Sequence, residues 1–86
     1  MQIKYSRDAL KFLSRQSKKT VERIREAIIK LTFNPPEGDI SILHGYSDNR
    51  MRLRIGSWRV IFTYTFDNQI EILLIINIGN RGDIYK

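Results

Sequence analysis

The 86-residue sequence contains no cysteine and a single histidine, His44. The first absence rules out a disulfide framework and a thiolate metal site. The second leaves too few imidazoles for a zinc cluster. No apolar run approaches the roughly 18–20 residues needed to span a bilayer, and the N-terminal MQIKYSRDALK has no signal-peptide core. Also missing are a P-loop, a nucleotide-binding glycine motif, paired carboxylates and a nucleophile–histidine arrangement. These absences predict one soluble, cytoplasmic domain over 1–86 with no metal, cofactor or membrane. A chain this short buries only about 60% of its unfolded surface, which leaves little margin for extra parts.

What is present is positive charge. Fifteen Lys and Arg stand against nine Asp and Glu, for a net charge of +6 and a pI near 10.0. Such a balance favours a polyanionic partner such as nucleic acid. The charge is unevenly spread. Residues 1–33 carry nine basic and three acidic side chains, 34–49 none and three, and 50–86 six and three. The middle stretch also collects Pro, Gly, Asp and Asn, so it reads as the main loop between a helical half and a strand half.

In the first half, residues 2–5 suit an N-terminal strand. Ser6 is an N-cap, followed by Asp8 in the first turn, where a negative charge favours the helix dipole. Ala9, Leu10 and Leu13 form the apolar stripe of a helix expected to end near Gln16. Ser17 or Thr20 caps a second helix, in which Val21, Ile24, Ala27, Ile28 and Leu31 recur at helical spacing. Pro35 and Pro36 stop it. A short connection predicts an antiparallel helix pair, and most of its basic residues read as a solvated face.

The second half changes period. Residues 50–55 alternate strictly, as do 58–64 in their apolar phase, and Gly56-Ser57 between them suits a two-residue hairpin turn. That turn puts Ile55 opposite Trp58, Leu53 opposite Val60 and Met51 opposite Phe62, which builds one apolar face with Trp58 in the core. Arg54 then opposes Arg59 on the other face, with Arg52 and Arg50 continuing the row. A solvated strand face usually mixes both signs, yet residues 50–59 hold four arginines and no carboxylate. Arginine's planar fork suits bidentate phosphate recognition. A near-continuous apolar run at 70–78 predicts a central strand, broken at Gly79, whose tail carries Arg81 and Tyr85 towards the arginine face. The expected fold is α+β: an N-terminal strand and an antiparallel helix pair packed on one face of a mainly antiparallel, three- to four-stranded sheet, with the other face open and basic. If five arginines met one RNA strand, affinity would fall with salt at a log–log slope near about −3.5. His44 reads as a surface loop residue.

With the helix pair, the proline break, Leu43-His44-Gly45, RMRLRIGSWRVIF at 50–62 and INIGNRGDIYK at 76–86, the chain resembles the RelE/ParE superfamily of toxins from toxin–antitoxin systems. The ending Gly79-Asn80-Arg81 followed by Tyr85 is similar to the RelE branch in particular. That resemblance implies an mRNA interferase acting in the ribosomal A site, with mRNA, the ribosome and a cognate, acidic antitoxin as partners. It implies phosphate contacts from Arg50 and Arg52; Arg54 lies on the same face by the hairpin register and ranks below them as a phosphate contact. It further implies that Arg59 holds the scissile phosphate, Arg81 stabilises the leaving oxygen or protonates it through a water, and Tyr85 positions or activates the ribose 2′-hydroxyl. Relatives often carry lysines where this chain has Arg50 and Arg52. Arginine effectively cannot lose its proton, so these two are clamps rather than bases. The general base is left open among Tyr85, His44, a ribosomal group and water. The sequence stops one residue after Tyr85, so the C-terminal helix of some members is not expected. The alternative within the superfamily is a ParE-like, non-enzymatic toxin that binds DNA gyrase.

Overall fold

The computed structural model of the chain describes residues 1–80. Strand β1 (Gln2–Tyr5) leads into helix α1 (Arg7–Ser14) and helix α2 (Lys18–Ile29), which tightens into a 3-10 turn at Lys30–Thr32. Strands β2 (Asp39–Ile42), β3 (Met51–Ile55), β4 (Trp58–Asp67) and β5 (Ile70–Asn80) follow. They form one sheet in the order β1-β5-β4-β3-β2. β2 to β5 pair antiparallel, and β1 adds to β5 in parallel. The expected α+β architecture holds, with four antiparallel strands and the N-terminal strand making a fifth.

Both helices begin on serine caps. Ser6 Oγ accepts the Ala9 amide at 3.0 Å and donates to the Ile76 carbonyl at 2.6 Å, so the cap also pins α1 to β5. Ser17, not Thr20, caps α2 by accepting the Thr20 amide. Helix α1 ends at Ser14 rather than near Gln16. Ala9 and Leu13 of α1, Ile24 and Ile28 of α2, and Leu31 pack with Leu53, Ile55, Val60, Phe62, Leu73, Ile75 and Ile78 on one face of the sheet. Each fully buried Leu, Ile or Phe contributes roughly 1.5–3 kcal/mol over exposure, so this layer is the main source of stability.

The β3–β4 hairpin has the expected register: Ile55 pairs with Trp58, Leu53 with Val60, Met51 with Phe62, and Arg54 with Arg59. Gly56 supports its tight turn at φ +57, a backbone region that disfavours other residues. Trp58 is half-buried at the margin of the core, where the Arg23 guanidinium lies 5.4 Å from its ring centroid, rather than enclosed within it. The β4–β5 turn is also two residues, Asn68 and Gln69, both at positive φ as a type I′ turn requires.

Two elements depart from expectation. The stretch 34–49 is not all loop, because Asp39–Ile42 pairs with residues 51–54 and forms the sheet edge. Gly38 precedes it, and a Cβ there would stand 2.7 Å from Leu53 Cδ1, so only glycine lets the chain enter β2 so close to the core. Strand β5 does not break at Gly79 but runs to Asn80, pairing Gly79 with Arg59 and Asn80 with Trp58. It carries a bulge: Ile61 pairs with Asn77 and Phe62 with Ile75, leaving Ile76 unpaired. Bulges bend a strand and re-aim its side chains.

Candidate nucleic-acid interface

The outer face of the sheet, opposite the helices, carries two cross-strand rows. One is Asp39, Arg54, Arg59 and Gly79; the other is Ser41, Arg52, Ile61 and Asn77. Arg50 stands just before β3, two residues from Arg52. The pairing therefore brings Arg50, Arg52, Arg54 and Arg59 to one face, as their alternation predicts. Arg81 and Tyr85 lie outside the described residues.

The face is less open and less purely basic than the local sequence implies. Arg59 is only 6% exposed, and its Nη1 donates to the Gly56 and Trp58 carbonyls at 3.0 Å each. One edge of this guanidinium is thus spent on the turn. Ile61 and Thr63 beside it are buried as well.

Carboxylates from outside the hairpin compensate two of the other arginines. Arg54 Nε donates to Asp39 Oδ2 at 2.6 Å, across the edge pair that β2 creates. Arg50 grips Asp48 with two nitrogens, Nε to Oδ1 at 2.9 Å and Nη2 to Oδ2 at 2.7 Å. That pairing holds the Asp48 carboxyl below the usual carboxylate range and pushes Arg50 up. The Arg50 guanidinium also lies over the Tyr46 ring, 4.4 Å from its centroid. The loop between β2 and β3 is closed by the Leu43 amide donating to the Arg50 carbonyl, and Thr63 Oγ1 donates to the Asp48 carbonyl at 2.8 Å. These bonds fold the loop against the outer face of β4.

Arg52 differs from its neighbours. Nη2 donates to Ser41 Oγ at 2.7 Å, while Nε is buried and has no hydrogen-bond partner among the described residues. An unsatisfied buried donor costs about 1–3 kcal/mol and more when charged, so Arg52 is the position best prepared to gain from an incoming anion. Sequence reasoning missed Asp39, Ser41, Tyr46, Asp48 and Thr63. The available signal was the acidic bias of 34–49, three carboxylates and no cation immediately before the arginine run. His44 is exposed in the loop. Among the described residues no group of three or more His, Cys, Asp or Glu could hold a metal ion, and no helix is long and apolar enough to cross a membrane.

A family model for the ParE toxin of type II toxin–antitoxin systems (parDE) matches residues 3–85. The chain belongs to this toxin family. Among solved structures, the RelB–RelE antitoxin–toxin complex from Methanococcus jannaschii contains a chain 18% identical, with a TM-score of 0.69, covering 95% of this toxin and 94% of that chain. The YoeB/ParE toxin from Agrobacterium tumefaciens is 17% identical, with a TM-score of 0.72 and coverage of 94% and 99%. The isolated E. coli RelE toxin is 18% identical, with a TM-score of 0.66 and coverage of 98% and 89%. At these identities the likeness is one of fold. No curated protein matches the toxin by sequence.

Proposed function

We propose that this toxin is a ribosome-dependent endoribonuclease that cuts mRNA in the A site and thereby stops translation in the cytoplasm. The observation that supports this most is the pairing of Arg59 with Gly79. It sets the last residues of β5, Gly79 and Asn80, which precede Arg81 in the chain, beside Arg59 and one row from Arg52. In the reaction, the ribose 2′-oxygen attacks the adjacent phosphorus as its proton passes to a base, and the bond to the 5′-oxygen breaks. The leaving oxygen takes up a proton, giving a 2′,3′-cyclic phosphate and a 5′-hydroxyl. Arg52 and Arg59 bind and polarise the phosphate, Arg81 stabilises the leaving oxygen, and Tyr85 positions or activates the 2′-hydroxyl. Arg50 and Arg54, already held by carboxylates, contribute less direct charge. A cognate antitoxin with an acidic segment would cover the same face, as the antitoxin partners the toxin in the M. jannaschii complex.

An in-vitro translation reaction tests the reading. Message cut on the ribosome with cyclic-phosphate ends is expected, and Arg81→Ala abolishes it; intact message with toxin in excess over ribosomes refutes it. One pair of observations favours a second reading, a ParE-like toxin that binds DNA gyrase without catalysis. The family model is that of ParE, and two of the four hairpin arginines are already paired. Inhibition of supercoiling with no RNA cleavage, unchanged by Arg81→Ala or Tyr85→Phe, identifies that case.

A further inference from the structure

We propose that Tyr46 and Arg50 form a shelf on which one nucleobase of a single-stranded RNA stacks, next to the phosphate taken by Arg52. The proposal rests on the endoribonuclease reading and adds a base-recognition element to its site. Three observations carry it. First, the Arg50 nitrogens that would clamp a phosphate, Nε and Nη2, are both occupied by Asp48. What Arg50 keeps is its plane, and guanidinium planes and aromatic rings are the surfaces on which unpaired RNA bases stack.

Second, the pair is preorganised. The Arg50 guanidinium lies 4.4 Å from the Tyr46 ring centroid, Asp48 fixes it in plane, and the Thr63 hydroxyl anchors the Asp48 carbonyl. Yet Tyr46 remains 48% exposed, an aromatic ring held in place at the surface with no role in the core. Third, Arg52, with its unpartnered buried Nε, is two residues away on the same strand face, a separation of about 7 Å. A phosphate on Arg52 and the base of an adjoining nucleotide on the shelf are therefore within reach of each other.

The test uses the full chain and a short 2′-O-methyl RNA oligonucleotide, which cannot be cleaved, carrying 2-aminopurine at one position. Its comparator has the same phosphates but an abasic site there. The wild-type toxin should quench 2-aminopurine fluorescence and bind the base-bearing oligonucleotide about tenfold more tightly than the abasic one. Tyr46→Ala should lose both the quenching and the preference while binding the abasic oligonucleotide as well as wild type does. Tyr46→Phe should retain both, and Arg50→Lys, which keeps the charge but not the plane, should weaken them. Absence of quenching or of binding by the wild type, an equal loss on both oligonucleotides in Tyr46→Ala, or a preference that survives Tyr46→Ala would each overturn the shelf. Cleavage on the ribosome is read separately. Quenching without cleavage removes the endoribonuclease reading but leaves the shelf, and cleavage without quenching does the reverse.

Discussion

Arg59 holds the hairpin turn and, in the proposed reaction, the phosphate, and replacing it should separate the two. The guanidinium is buried, and its Nη1 holds two turn carbonyls at 3.0 Å. A hydrogen bond from a charged donor contributes about 1.5–3 kcal/mol net, and both carbonyls lose their partner in Arg59→Ala. Removing one of two opposed arginines returns about 0.2–1 kcal/mol by relieving the repulsion with Arg54. The balance is a loss of about 2–6 kcal/mol, a large share of the roughly 5–15 kcal/mol that holds a small domain together. With a urea m-value of about 1–2 kcal/mol/M, the midpoint should fall by at least about 1 M. Arg59→Lys keeps the charge and can reach one carbonyl, so it should lose about half as much. If Arg59 also holds the scissile phosphate, the lysine variant stays folded and still cleaves poorly, because a point charge cannot bridge the turn and grip phosphate together. A midpoint shift below about 0.3 M for Arg59→Ala would refute the reasoning, since it would mean the turn contacts contribute nothing in solution.

Salt dependence should report how many arginines are free. With Arg50 and Arg54 paired to Asp48 and Asp39, Arg52 and Arg59, joined in the proposed reading by Arg81, are left for phosphate, so single-stranded RNA affinity should fall with a log–log slope of about −2 rather than −3.5. Titrations at several salt concentrations check this; the Asp39→Asn, Asp48→Asn double variant should steepen the slope, and a wild-type slope near −3.5 would contradict the pairing. Tyr64 should make the fold sensitive to alkali. Its hydroxyl donates to the Leu31 carbonyl at 2.7 Å, and burial, followed by the nearby Glu71 charge, pushes its pKa up. A group with a raised folded pKa gives stability that is complete below its unfolded value, about 10, and is lost as pH rises through the folded one. Denaturation from pH 8 to 11 should show a steeper decline in wild type than in Tyr64→Phe, and parallel curves would count against it.

The hairpin was readable because two local signals agree. Strict alternation on both strands fixes which side is apolar, and Gly56-Ser57 fixes the offset, leaving one register. Strand β2 was hidden for the opposite reason. Asp39-Ile40-Ser41-Ile42 is a single period-two repeat among Pro, Gly, Asp and Asn, and what makes it a strand is a partner segment nine to fifteen residues further along the chain. Propensity over four residues is too weak to outweigh such surroundings, whereas an unpaired edge of β3 is strong enough to recruit them. The parallel partner of β1 and the bulge at Ile76 left no trace either, because an unbroken apolar run has the same appearance in any register. The site follows this division. The arginines sit on one hairpin and could be placed from it. The acids that partner them come from the edge strand and its loop, so the face looked unopposed until those segments were in position.

The paired carboxylates change what the net charge of +6 means for recognition. Four arginines on adjacent strands repel, and a chain of 86 residues has little stability with which to oppose that repulsion. Asp39 and Asp48 act as built-in counterions that relieve it. Arg59 is buried, and its Nη1 is bonded to two turn carbonyls. The face therefore combines a fixed cation, a primed one in Arg52, and two that are neutralised by their own aspartates. Under the proposed reading an RNA strand meets the first two and leaves both aspartates in place, so the net charge overstates the number of phosphates this face can take.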